Sequence, residues 1–134
     1  MHERVYGMRY LLDTSVLICC FQDHNLLSSR VLDIVNNDQH KFCISIVSLW
    51  EIVIKLCIKK LDANINLKSL NDLLKKKNIG ILPIKQKYLK ILLSLPMHHK
   101  DPFDRLLIAT AVSEKLTFIT SDKDIKLYNV DWIW

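Results

Sequence analysis

Four acidic residues in this chain stand beside or inside apolar runs: Asp13 in RYLLDTSVLICCF, Glu51 in ISIVSLWEIVIKL, Asp104 in HHKDPFDRLLIATA and Asp122 in LTFITSDKDI. An ionised carboxylate buried alone is costly, so four such sites in a small domain suggest that something cationic collects them. Oxygen donors without nearby Cys or His pairs suit a hard ion, Mg²⁺ or Mn²⁺, better than zinc. Such ions bind phosphate oxygens, lower the pKa of a bound water and offset charge on a leaving oxygen, which is the chemistry of phosphodiester hydrolysis.

Each acid also has a local explanation. Asp13 ends a strand and is placed to cap the helix behind it, and Asp122 is placed to cap a short turn beginning at Lys123. Ser48 and Glu51 have the spacing of a capping box; Asp101 and Asp104 have it too, with Pro102 at a favoured first-turn position. Capping accounts for each position but not for their shared location. Asp13 and Asp122 fall at the carboxyl ends of strands, while Glu51 and Asp104 start helices near that edge, where open parallel sheets bind ligands.

The elements that must position these acids follow from periodicity and punctuation. Strands are expected at 8–12, 42–45, 79–83 and 117–121, with a fifth at an edge over 130–134. Helices are expected at 14–22, 28–37, 47–60, 68–77, 86–95 and 103–115, and the stretch 61–67 reads as a polar connector. Short apolar strands alternating with helices imply parallel crossovers and a sheet covered on both faces. The expectation is a single α/β domain spanning 1–134, with a central parallel sheet of four to five short strands flanked by helices and residues 1–7 as a flexible start.

Bulk composition agrees with that class. The chain has 134 residues, half of them hydrophobic and 25% charged, which gives one well-packed domain rather than disorder. Its net charge of +5 favours a polyanionic partner such as nucleic acid, as a weak prior. Cys19, Cys20, Cys43 and Cys57 lack zinc-knuckle spacing and read as reduced, buried, small hydrophobes, which places the protein in a reducing cytoplasm. No apolar run is long enough to span a bilayer, and a soluble protein is expected.

The blocks LLDTSVLI, SLWEIVIK, HHKDPFDRLLIATA and ITSDKDI, in this order across nearly the whole chain, closely resemble PIN domains, specifically VapC-like ribonuclease toxins of toxin–antitoxin pairs. The DPFDRLLIATA block is the most specific of them. The resemblance implies that Asp13, Glu51, Asp104 and Asp122 are the acidic quartet that holds Mg²⁺ or Mn²⁺. It further implies an RNA substrate attacked by water, a small cognate antitoxin as inhibitor, and a homodimer. Asp101 then ranks below Asp104, as a helix cap or a support behind the metal ligands.

Around this quartet, Thr14 and Ser15 either contact the metal shell or substrate or serve as local caps. His99 and Arg105 either touch phosphate or are a solvated loop histidine and a surface arginine, with the second reading preferred. Asp124 reads as a solvated turn residue rather than the motif acid. Trp50 belongs either to the core or to a partner groove, and Trp132 and Trp134 to packing at the sheet edge or to a dimer contact. Two rival functions stay open. One is a nucleic-acid-binding PIN module without turnover, which the charge favours and the complete quartet opposes. The other is a phosphatase working through an aspartyl-phosphate on Asp13; such enzymes carry a second acid two residues on, where this chain has Ser15.

Overall fold

The computed structural model describes residues 8–61 and 64–134. The flexible start expected at 1–7 lies outside the described residues. Five strands, β1 (Arg9–Leu12), β2 (Lys41–Ser45), β3 (Gly80–Leu82), β4 (Thr117–Ile119) and β5 (Trp132–Ile133), form one sheet. All its pairings are parallel, in the order β3-β2-β1-β4-β5. Among the described residues six α-helices accompany it: α1 (Thr14–Gln22), α2 (Ser29–Val35), α3 (Ile46–Cys57), α4 (Leu67–Lys76), α5 (Gln86–Ser94) and α6 (Pro102–Glu114). The expected α/β class and parallel sheet are therefore the observed ones, and each element begins and ends within a few residues of its expected bounds.

The order of the strands decides where a site can form. The chain leaves β1 for β2 and β3 on one side, then returns for β4 and β5 on the other, so the winding reverses between β1 and β4. A crevice opens at the carboxyl ends of strands flanking such a reversal, because the loops there diverge to opposite faces. Asp13 follows β1 directly, and its N–H extends the ladder to the Ile119 carbonyl of β4 at 3.0 Å.

Alternation along the central strands divides the core in two. Tyr10 and Leu12 of β1, Ile44 of β2 and Ile119 of β4 face one layer, with Val16, Leu17, Val31, Ile52, Leu70 and Leu74 from α1 to α4. Leu11 and Phe118 point the other way, against Leu107, Ile108 and Ala111 of α6. The apolar run after Asp104 is thus the helix that seals the second face, and Leu107 within it is fully buried. Losing a side chain of that kind typically costs about 2–5 kcal/mol through transfer and cavity terms.

Three sequence expectations change. Helix α3 starts at Ile46 instead of 47, because Ser45, the last residue of β2, caps it by accepting the Val47 N–H at 3.0 Å. Ser48 and Glu51 therefore do not form a capping box; both lie inside the helix. Cys20 is buried and Cys43 half-buried, with burial raising the Cys43 thiol to about 11, but Cys57 is exposed rather than a core residue. At the sheet edge Trp134 packs against the first core layer, and Trp132 is partly exposed. No helix among the described residues is long and apolar enough to cross a membrane.

Candidate metal centre

Asp13 forms the floor of the crevice. Its Oδ1 accepts the Thr14 N–H at 2.7 Å, the capping bond of α1, and its Oδ2 accepts the Thr120 hydroxyl at 2.7 Å from the end of β4. One carboxylate thus bridges both strands of the reversal while remaining 9% exposed. Thr120 Oγ1 also accepts the Asp122 N–H at 3.1 Å, which fixes the turn carrying Asp122. Asp122 in turn caps the 3-10 turn Lys123–Leu127 by accepting the Asp124 N–H at 3.0 Å.

The other two acids come from helices whose first turns face the same edge. Thr14 donates its hydroxyl to Ser48 Oγ at 2.9 Å in a buried contact, locking α1 to α3. Glu51 lies one turn beyond Ser48, on the same side of the helix. Its Oε2 is 3.5 Å from Lys55 Nζ, while Oε1 is buried with no hydrogen-bond partner among the described residues. Asp101 caps α6 by accepting the N–H groups of Phe103 at 2.8 Å and Asp104 at 3.3 Å, which sets Asp104 in the first turn.

Electrostatics couple Asp104 to Asp13 and Glu51, and Asp13 to Glu51 and Asp122. Burial raises the Asp104 carboxyl from 3.8 to about 7, with the charges of Asp13, Asp101 and Glu51 adding to the rise and His99 opposing it. Burial likewise raises Asp13; its bonds to Thr120 and Thr14 pull it down, and Glu51 and Asp122 push it up again. Two raised carboxyls, Asp13 and Asp104, beside a buried Glu51 oxygen without a donor among the described residues, are oxygen donors a hard divalent cation would satisfy. The residues present offer carboxylate oxygens of the kind such an ion takes.

His99 departs from the sequence reading. It is no solvated loop residue: Nε2 lies 2.7 Å from Asp122 Oδ2 and 3.3 Å from Asp104 Oδ2. Burial alone lowers its pKa, but the Asp122 hydrogen bond and the charges of Asp104, Asp122 and Asp101 raise it above the ordinary histidine value. Asp124 is exposed as expected, yet it has a carboxylate oxygen within 4.8 Å of ligand atoms of His99 and Asp122.

Arg105 is not on the surface either. It is 8% exposed, and its guanidinium donates to the carbonyls of Pro96 at 2.8 Å, Leu92 at 3.3 Å and Leu95 at 3.4 Å. Those oxygens lie at and just beyond the end of α5, where the helix dipole favours a cation. Ser15 is exposed on the first turn of α1, and Thr14 is spent on Ser48 rather than open to a ligand. Trp50 is 58% exposed, with its ring edge-to-face on Phe103 at 5.0 Å. Sequence reasoning missed Thr120 and Tyr128 and took Ser48 for a cap instead of the partner of Thr14; the one available signal was the hydroxyl of Thr120 at a strand end, two residues before Asp122.

The fold and this site define a doubly wound α/β domain that gathers acids at the reversal point of a parallel sheet. The chain belongs to the PIN domain family, whose model matches residues 10–132. Its fold is similar to that of a chain of VapBC2 from Rickettsia felis, solved bound to a DNA fragment from their promoter. The TM-score is 0.71 at 18% identity, over 94% of this chain and 98% of that one. DNA-bound VapBC from Salmonella typhimurium gives 0.66 at 14% identity, over 94% and 97%. VapBC-5 of Mycobacterium tuberculosis, a member of the VapBC family of toxin–antitoxin systems, gives 0.60 at 22% identity, over 95% and 98%. Among curated proteins no sequence match is found. The PIN resemblance of the sequence agrees with the family match, and the fold is similar to that of chains from VapBC complexes.

Proposed function

We propose that this chain is a metal-dependent endoribonuclease, the toxin of a toxin–antitoxin pair, with Asp13, Glu51, Asp104 and Asp122 as the ligands of Mg²⁺ or Mn²⁺. The observation that carries the reading is the coupling of Asp104 to Asp13 and Glu51 in one site, where burial first and these charges after it raise the Asp104 carboxyl to about 7. A divalent ion held by these residues would supply positive charge to phosphate oxygens and would acidify a bound water. The chain's own part is to hold the ligands ready. Thr120 and the Thr14 N–H fix both oxygens of Asp13, Asp101 caps the turn that carries Asp104, and His99 spans Asp104 and Asp122. A net charge of +5 supports a polyanionic substrate. The VapBC neighbours support a small antitoxin as partner, and the family resemblance supports a homodimer.

The test is cleavage of a mixed RNA pool with Mg²⁺ or Mn²⁺, with EDTA, and with Asp13→Ala and Asp104→Asn. Cleavage is expected only from the wild type with metal. Activity that persists unchanged in excess EDTA would defeat the metal mechanism. Steep salt-dependent RNA binding with no cleavage in either metal would make the chain a binding module instead.

A further inference from the structure

The segment between α5 and α6, residues 95–101, carries His99 and Asp101, and its path is set from outside by two side chains that meet on one oxygen. The Pro96 carbonyl accepts from Arg105 Nη1 at 2.8 Å and from the Tyr128 hydroxyl at 2.9 Å. The same Tyr128 oxygen accepts the His99 N–H at 2.7 Å. Its ring is 6% exposed within the second core layer and stands edge-on to His98 at 5.2 Å. One buried phenol therefore holds the backbone on both sides of the turn: the carbonyl at 96 and the amide at 99.

What that amide belongs to gives the contact its meaning. His99 reaches Asp122 and Asp104 through Nε2, and a swing of the loop by about 1 Å would break both contacts, given the narrow range of hydrogen-bond distances. Partners that orient the groups around a metal are typically worth about 10–100-fold in affinity. We infer that Tyr128 is a positioning residue of the acidic site, acting through the His99 amide and the Pro96 carbonyl, with Arg105 completing the clamp. The inference rests on the metal reading above for its effect on affinity, but not for its effect on His99.

Tyr128→Phe removes the hydroxyl and keeps the ring. Two readouts test it: the Nε2 resonance of His99 in metal-free protein, and the Kd for Mn²⁺ by calorimetry. The variant is expected to move the resonance away from its Asp122-bonded position and to weaken Mn²⁺ about tenfold. Tyr88→Phe is the matched control. It removes a buried hydroxyl whose partner is Glu114, ten residues beyond Asp104 and about 15 Å along α6, and leaves both readouts at wild-type values. Arg105→Lys keeps the charge but loses the fork that reaches three carbonyls, and shifts both readouts in the same direction as Tyr128→Phe, keeping the test open if that variant does not fold. An unmoved His99 resonance in Tyr128→Phe, or an equal shift in Tyr88→Phe, overturns the positioning role. Failure of the wild type to bind Mn²⁺ overturns the metal reading and the affinity claim with it, and the His99 resonance then decides positioning alone.

Discussion

Asp104→Asn in metal-free protein at pH 8 should make the domain more stable while removing its response to metal. Asp104 has its carboxyl raised from 3.8 to about 7, and its side chain is 28% exposed. For an acid raised on folding, the stabilising protonated state is fully present below the unfolded value and is lost as pH rises through the folded one. The penalty therefore grows from about pH 4 and is complete above about pH 7. At about 1.4 kcal/mol per unit this is about 4 kcal/mol at most. Asparagine avoids the penalty but gives up the contact with His99, which returns about 1–2 kcal/mol. The net gain is about 2 kcal/mol, and for a domain of this length that is a rise in Tm of about 7 °C. The assay is thermal unfolding at pH 5 and pH 8, in EDTA and in Mn²⁺. Wild type should gain about 3 kcal/mol from Mn²⁺ at a hundred times its Kd, and the variant nearly nothing. A variant less stable than wild type in EDTA at pH 8, or a gain as large at pH 5, would refute the reasoning.

Two further outcomes separate scaffold from site. Glu114, near the end of α6, accepts from Tyr88, Lys85 and Lys87; the Tyr88 bond first, then the lysines, hold its carboxyl down from 4.5 to about 2, against burial. Glu114→Gln should cost about 1–3 kcal/mol, discounted because both lysines are largely exposed, and should leave Mn²⁺ binding unchanged. Because this carboxyl is lowered on folding, its contribution is present above about pH 4.5 and fades as pH falls toward 2; urea melts at pH 7 and pH 3 should show the gap between wild type and variant narrowing. Asp101→Ala should cost about 1 kcal/mol in the same melts through loss of the α6 cap, whereas Asp101→Asn, which caps equally well, should cost little. A large loss for the asparagine variant would mean that the charge of Asp101, not its cap, matters.

Much of this architecture was legible in the sequence because it depends on local signals. Asp13 after RYLL and Asp122 after LTFIT lie at strand ends that β-branched and apolar runs announce, and Pro102 with Asp101 announces α6. What stayed hidden depends on backbone atoms and distant pairs. Arg105 bonds three main-chain carbonyls, and nothing in a string of letters distinguishes the oxygen of Leu92 from any other. Thr14 and Ser48 meet across 34 positions, and two adjacent histidines, 98 and 99, differ only in which one the loop turns inward. The start of α3 was missed because Ser45 serves at once as strand residue and cap.

The bond between Thr120 and Asp13 joins positions 107 apart, nearly the length of the chain. It orders the site in time as well as in space. During synthesis Asp13 exists long before its partner Thr120, and β1 lacks its neighbour on that side until β4 has been made. The β4 side of the crevice therefore closes only once Thr120 and Asp122 have joined the fold.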